Sequence, residues 1–534
     1  MRDAAYGVRL TDSAMGRAAV FCLLFVVAPA IASQPPPISV VLDYGMQGTA
    51  NNKALPFALR HTAEEARAIA ERRSADWRAL GYEPCQPYRS GHYFREWTKG
   101  YIWENRRDLF GLTPYGSRGI GKKGMPDWLG ALSKVCVSNE GVVDMRIALW
   151  KRDGMPQLLI AGENDGFLGF CRCEGCRALD ADLPGEPFLK NKTDRYLNLW
   201  NRICAKARQL RPDVQVCVYA YSLLRHPPRR ERVAFPENMI VSYVPTYHDG
   251  FPEKAVMDWK GAGLRYFYNR PNFLCNQTVF PIGREKYIYE VDRMLRRLGS
   301  LGSCYDATHG VASTGFEVYA AVRICSDPDV PFEEIERGWC SRFGLAAKTV
   351  QGYYSRVRER CDRRWKRLLT VLASHGIEFL DDSHFSRCYH LLHTEEELER
   401  DLCCLESFDD TVLSGEEGRR FADLKLAARH FVLTRKAFKS RAAVDKERLI
   451  AFRSEWRDRL GFAWAAHWNK GEASLWGSPG FRRFYSDLGI ASFVEEFENA
   501  LVVSPVGKVM REMESPLDKA LREFGQSPEK VSAF

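Results

Sequence analysis

Between Ile38 and Cys325 the chain alternates short apolar runs with longer amphipathic ones, and that alternation is the strongest constraint on its fold. Short apolar runs bounded by polar residues suit buried strands, and amphipathic runs of crossover length suit helices that cover them. Candidate strands are Ser39–Leu42, Gln157–Ala161, Gln215–Tyr221, Met239–Val244, Leu264–Tyr268 and Gly302–Tyr305. Helical patterns such as Asp194–Gln209 and Arg284–Leu298 lie between them. Two further strands are expected between Glu83 and Leu149, one of them carrying His92 in PYRSGHYF. The predicted fold class is α/β, a (β/α)8 TIM-like barrel over residues 38–328. After Asp327-Pro328 the strand signals stop. Patterns of 3.6-residue period over Ala346–Ala373, Glu395–Leu405 and Ala422–Leu460 predict an all-α C-terminal domain over residues 329–534.

Residues 1–33 read as a signal peptide. Arg17 precedes an apolar run from Ala18 to Ala28, and Ala30-Ile31-Ala32 gives a small-residue cleavage site ahead of Ser33. The run is too short to span a bilayer comfortably, and no other apolar stretch approaches the length of about 18 residues that spanning needs. The mature protein is therefore expected to be exported, periplasmic or extracellular, without stable membrane insertion. The full chain's net charge of +9 is spread along its length, and the densest run, Arg225 to Arg232, is broken by Pro227 and Pro228. No basic stripe sits on a recognisable nucleic-acid module, so no nucleic-acid partner is expected. A mildly basic surface suits an anionic polysaccharide.

The richest stretch is GENDGFLGFCRCEGC, residues 162–176. An apolar strand that ends in Glu163, Asn164 and Asp165 aims carboxylates at the pocket that parallel folds build at strand carboxyl ends. Glu163 and Asp165 are two apart and leave the same face of a strand. Close carboxylates repel, which raises one pKa and sets an acid beside a base. The quieter reading makes Asp165 a turn cap and Glu163 the partner of an arginine. Other residues past the strand ends form a consistent set: His92, Tyr219 and Tyr221, Tyr247, His248, Asp249, Arg270, Asn272, Asp306 and His309. Rings, amides, histidines and carboxylates together suit a sugar, and Arg270 suits a carboxylate or sulfate on it. Each also has a structural reading. Of the two tyrosines in VCVYAYS, at least one belongs to the core and only Tyr221 reaches the pocket. No GxSxG, Walker A, dinucleotide fingerprint or HExxH pattern occurs.

Sixteen cysteines are present, and an odd fifteen remain after Cys22 leaves with the signal. Cys171, Cys173 and Cys176 could hold zinc with a fourth ligand from elsewhere, although the second CxxC pair of a common zinc site is missing. Inert thiols, disulfides and redox chemistry stay open as alternatives. No other cofactor is expected.

The run NDGFLGFCRCEGC resembles the NDG…C-x-C-x-x-C signature of the family named domain of unknown function 4838. LSKVCVSNEGVVDMRI (132–147) is similar to that family's cysteine-and-asparagine segment. The stretch from Thr308 to Tyr354 is similar to its last barrel segment and first helices. The resemblance covers about residues 80–360, and Asn164, Asp165, Cys173 and Cys176 match the signature position by position. Glu163 lies beside that signature. The resemblance implies a glycoside-hydrolase-like (β/α)8 barrel, distantly similar to α-glucuronidases and β-hexosaminidases, with export and action on polysaccharide.

The sequence thus points to a glycoside hydrolase-like protein acting on a complex polysaccharide or oligosaccharide, acidic ones included. One of Glu163 and Asp165 is the expected general acid. Its partner carboxylate, from the same strand end or from Asp306, is nucleophile or base. His92, Asn164, Tyr221, Tyr247, His248, Arg270, Asn272 and His309 are the expected sugar contacts. The rival is a non-catalytic carbohydrate-binding or cell-surface protein on the same scaffold.

Overall fold

The computed structural model describes residues 41–43, 75, 79–80, 94, 97, 100–113, 116–119, 133–164, 169–184, 188, 191–245, 252–271, 283–306, 311–374, 392–440 and 442–460. Among them are strands β1 (Val41–Asp43), β2 (Leu158–Ile160), β3 (Gln215–Ala220), β4 (Met239–Tyr243), β5 (Tyr266–Asn269) and β6 (Cys304–Asp306). Strands β2 to β5 form a parallel sheet in chain order, and β1 pairs in parallel with β6. A parallel bridge between Asn269 and Ser303, with the Asn269 N–H donating to the Gly302 carbonyl at 2.9 Å, carries the row from β5 to β6. Ile160 lies opposite Cys217, Tyr243 opposite Asn269, and Asp306 opposite Asp43. The strands therefore deliver their carboxyl ends to one edge. Every residue of β3, β4 and β5 is buried. A parallel sheet covered on both faces requires this, and it explains why these strands read as continuous apolar runs.

The helices before β6 are α1 (Gly100–Asn105), α2 (Glu140–Arg152), α3 (Glu174–Ala178), α4 (Thr193–Leu210), α5 (Glu253–Gly261) and α6 (Glu285–Arg297). In α4, Leu197, Trp200, Cys204 and Ala207 recur three or four residues apart and are fully buried. The Trp200 indole N–H donates to the Ala161 carbonyl at 3.0 Å, fixing α4 against the exit of β2. In α6, Ile288, Val291 and Leu295 make the apolar stripe. Asp292 lies on that same buried face. Its carboxyl accepts from the Tyr305 hydroxyl at 2.5 Å, from the Ser303 hydroxyl at 2.9 Å and from the Asn269 side-chain amide. Burial nonetheless wins over these three donors and pushes the Asp292 pKa up to about 6.

The region expected to hold two more strands is built differently where it is described. Among the described residues the strands number six rather than the eight of a closed barrel. Phe110 and Val135, and Leu112 and Arg118, meet only as isolated antiparallel bridges. The apolar residues after Asn139 belong to α2, because Val142, Val143, Arg146, Ile147 and Trp150 recur at helical spacing and are buried. The Asn139 side chain caps that helix by accepting the Gly141 N–H at 2.9 Å.

From Val311 onward the described elements are helical: α7 (Val311–Ser326), α8 (Phe332–Ser341), α9 (Ala347–Ser374), α10 (Glu395–Glu406), α11 (Gly415–Ser440) and α12 (Ala443–Leu460). The helical pattern over Ala422–Leu460 falls into two helices, α11 and α12. At the break, the Ser440 hydroxyl donates to Asp445 at 2.6 Å and accepts the Ala442 N–H at 3.1 Å, a local alternative to helix continuation. One apolar core runs from the sheet into α7 to α11, while Leu449 and Phe452 of α12 belong to separate small clusters. Arg358 of α9 joins the two regions, contacting Glu285 of α6 at 2.7 Å and Glu336 of α8 at 2.7 Å. No helix among the described residues is long and apolar enough to cross a membrane.

Asp292→Ala strands three buried donors, so a stability loss of about 3 kcal/mol is expected in denaturant unfolding near pH 4. The folded pKa lies above the unfolded value of about 3.9. The protonated carboxyl's contribution is therefore fully present below that value and is lost as pH rises through about 6. The gap between wild type and variant should shrink over that window, and a gap independent of pH would contradict the assignment.

Candidate functional site

The chain leaves β2 at Ala161, and the exit is held on both sides. The Ala161 N–H donates to the Cys217 carbonyl at 2.8 Å, and Arg146 Nε donates to the Ile160 carbonyl at 2.8 Å. Glu163 follows and is 3% exposed. Its Oε1 accepts the Asn164 N–H at 2.5 Å. Burial raises the Glu163 pKa, while the Lys134 ammonium and the Tyr196 hydroxyl pull it back down. Asn164 is equally enclosed, with its side-chain amide donating to the Ser133 carbonyl at 2.6 Å. The buried Lys134 donates to the Asn164 carbonyl and lies 5.2 Å from the Phe170 ring centroid. Glu163 and Asn164 thus sit inside a packed polar knot whose partners, Lys134 and Tyr196, the sequence reading did not single out.

A second group forms at the ends of β3 and β5. Tyr219 and Tyr221 stack with centroids 5.1 Å apart and planes 17° from parallel. Two-residue spacing on a strand puts both rings on one face. Tyr219 is buried and Tyr221 half-buried, the division expected from VCVYAYS. The Arg270 guanidinium lies 5.2 Å from the Tyr219 ring centroid, and the Arg270 N–H donates to the Tyr243 carbonyl at 2.7 Å. The fold therefore brings Tyr221 and Arg270 together through Tyr219, with a cation against an aromatic face. Asp306 ends β6 on the same edge of the sheet. His92, Asp165, Tyr247, His248, Asp249, Asn272 and His309 lie outside the described residues.

The third group is sulfur. Cys171, Cys173 and Cys176 are joined by Cys136, and the four Sγ atoms all lie within 4.8 Å of one another. Cys136 contacts Cys173 at 3.7 Å, Cys176 at 3.7 Å and Cys171 at 3.6 Å, and Cys171 contacts Cys173 at 3.3 Å. The fourth thiol of the group is thus another cysteine, Cys136. It comes not from a second CxxC pair but from a segment 35 residues earlier than Cys171. That segment is laid down by backbone pairing: the Cys136 N–H donates to the Leu109 carbonyl at 2.8 Å, and the Arg172 N–H to the Leu112 carbonyl at 2.9 Å. No pair is within disulfide bonding distance of about 2 Å, and all twelve described cysteines are free thiols. Hydrogen bonding to Cys171 and Cys176 holds the Cys136 thiol well below its usual range, and its partnership with Cys136 pushes Cys176 well above it.

Taken together, these features define a mixed α/β protein with a parallel sheet, strand-end polar groups and an adjoining four-cysteine cluster. The chain belongs to the family described as domain of unknown function 4838, whose model matches residues 59–355. Among solved structures, a mutant of the Thermobaculum terrenum O-GlcNAc hydrolase is similar at 11% identity and a TM-score of 0.32, over 70% of this chain and 80% of that one. No curated protein sequence matches the chain.

The two stacked tyrosines should separate cleanly on substitution. Tyr219→Ala removes a buried ring, with an expected cost of about 3–4 kcal/mol. Tyr221→Ala removes a half-buried one and should cost about 1 kcal/mol or less. Equal losses in chemical denaturation would mean that Tyr221 is core rather than available to a ligand.

Proposed function

We propose that this protein acts on carbohydrate as a glycoside hydrolase-like enzyme, on a sheet that closes into an eight-stranded barrel. The observation that carries the reading is the shared edge. Parallel pairing delivers Glu163, Tyr221, Arg270 and Asp306 to the carboxyl ends of β2, β3, β5 and β6. That is the edge where parallel α/β enzymes place their chemistry. The pairing of β1 with β6, first described strand beside last, is the contact barrel closure needs.

In this reading the Glu163–Asp165 strand end supplies the proton donor. Glu163 suits the role chemically, because its raised pKa keeps a proton that an exposed carboxyl would have lost. Asp165, two residues further on, is its partner, and Asp306 is the third carboxylate. A separation of about 5 Å between the reacting pair would give retention, and about 6.5–9.5 Å would give inversion. Tyr221 offers a stacking face for a sugar ring, and Arg270 a cation for an acidic substituent. The second reading, a non-catalytic carbohydrate-binding protein, draws on the enclosure of Glu163 by Asn164, Lys134 and Tyr196. Such packing suits a structural carboxyl as well as a catalytic one.

The test is release of new reducing ends from acidic and neutral polysaccharides by wild type, Asp165→Asn and Glu163→Gln. Loss of about 10²–10⁴-fold in kcat by either folded variant is expected for a general acid. With Glu163 as donor, activity must also persist to a pH above the usual carboxylate range and then fall as the proton is lost. Binding without cleavage, unchanged in both variants, would select the second reading.

A further inference from the structure

We propose that Cys136, Cys171, Cys173 and Cys176 form a structural zinc site that staples the loop following β2 to the body of the protein. This inference is independent of the carbohydrate reading. A tetrahedral ion with four sulfurs at about 2.3 Å separates those sulfurs by about 3.8 Å. The four contacts among them here, from 3.3 to 3.7 Å, come close to that figure before any ion is added. A donor set of four cysteines fills every position, so it leaves no open place for substrate and marks a structural rather than catalytic metal.

The surroundings suit an anionic centre. Four thiolates around a divalent ion carry a net charge of about −2. Hydrogen-bond donors to the sulfurs spread that charge. The Leu112 N–H donates to Cys171 Sγ at 3.2 Å and the Ser138 N–H to Cys176 Sγ at 3.4 Å. The Ser138 hydroxyl lies 3.3 Å from Cys176 Sγ and 3.6 Å from Cys173 Sγ. Arg118, whose guanidinium donates to the Phe110 carbonyl at 3.0 Å, adds a cation beside Cys136. Ser138 comes this close because residue 175 is glycine: a Cβ there would lie 2.9 Å from the Ser138 hydroxyl. Cys136, Cys171 and Cys176 are buried, which shields the centre from water and competing ligands. Zinc fits better than a redox metal because it holds four thiolates tetrahedrally without changing oxidation state. Binding releases the thiol protons to solvent.

The experiment uses the full chain, purified reduced and without chelators. Elemental analysis should find about one zinc per chain. The four thiols should resist alkylation until the protein is both unfolded and chelated. Cys173→Ser, which alters the half-buried ligand, should lose most of the metal, whereas Cys204→Ser, at a buried thiol in α4, should keep it. Should Cys173→Ser fail to fold, cobalt added to metal-free wild type gives the same information, through sulfur-to-cobalt charge-transfer absorption that saturates at one equivalent. Two disulfides among the four cysteines, bound iron in place of zinc, or reduced protein that takes up neither zinc nor cobalt would each overturn the proposal.

Discussion

Parallel strand pairing is the constraint on which everything else in this molecule rests. Parallel neighbours cannot be joined by tight turns, so each strand must be followed by a crossover that returns the chain to its starting edge. The crossovers after β2, β4 and β5 carry α4, α5 and α6, whose apolar faces are buried, while β3 reaches β4 through a connection without an α-helix. Two consequences follow. Strands β3, β4 and β5 are buried on both faces and carry almost no chemistry along their length. Polar residues collect instead where each strand ends, and they all collect on the same edge. Glu163, Tyr221, Arg270 and Asp306 owe their common placement to this geometry rather than to any proximity in sequence.

The same logic explains what was readable from the residues alone. Each of the six strands overlaps an expected apolar run to within two residues at either end, and in β3, β4 and β5 burial on both faces leaves an unmistakable apolar block. The crossovers α4 and α6 were equally legible from helical spacing. The stretch from Glu83 to Leu149 was less so. Two strands were expected there from the total a barrel needs, and in its described last part Asn139 and the spacing of Val142, Val143, Arg146 and Ile147 specify a helix. The Ser440 break between α11 and α12 escaped notice because an isolated serine in a helical pattern is no signal until its hydroxyl is seen competing for the backbone.

The candidate site was legible in part and for different reasons. The stacked tyrosines follow from two-residue periodicity in a single strand. The role of Tyr196 and Lys134 around Glu163 does not, since it depends on α4 and a distant segment meeting at the exit of β2. Cys136 marks an intermediate case. It stood in a segment already similar to the family's own cysteine-and-asparagine stretch, and only the expectation of a second CxxC pair hid its connection to Cys171, Cys173 and Cys176. Clusters assembled by long-range backbone pairing, like that between Phe110 and Val135, leave no local spacing rule to find.

The shared core and the Arg358 contacts bear on how such a chain can be inherited. Glu285 belongs to the β/α region, yet its charge is matched by an arginine contributed from the helical region, and Glu336 draws on the same guanidinium. A gene fusion that kept the sheet and exchanged everything after residue 328 would leave that carboxylate buried without its counter-charge. The family match runs past this point to residue 355, through α8 and into α9. The first helices after the sheet are thus not a cassette to be shuffled among proteins, and recombination that respects the molecule must cut beyond them.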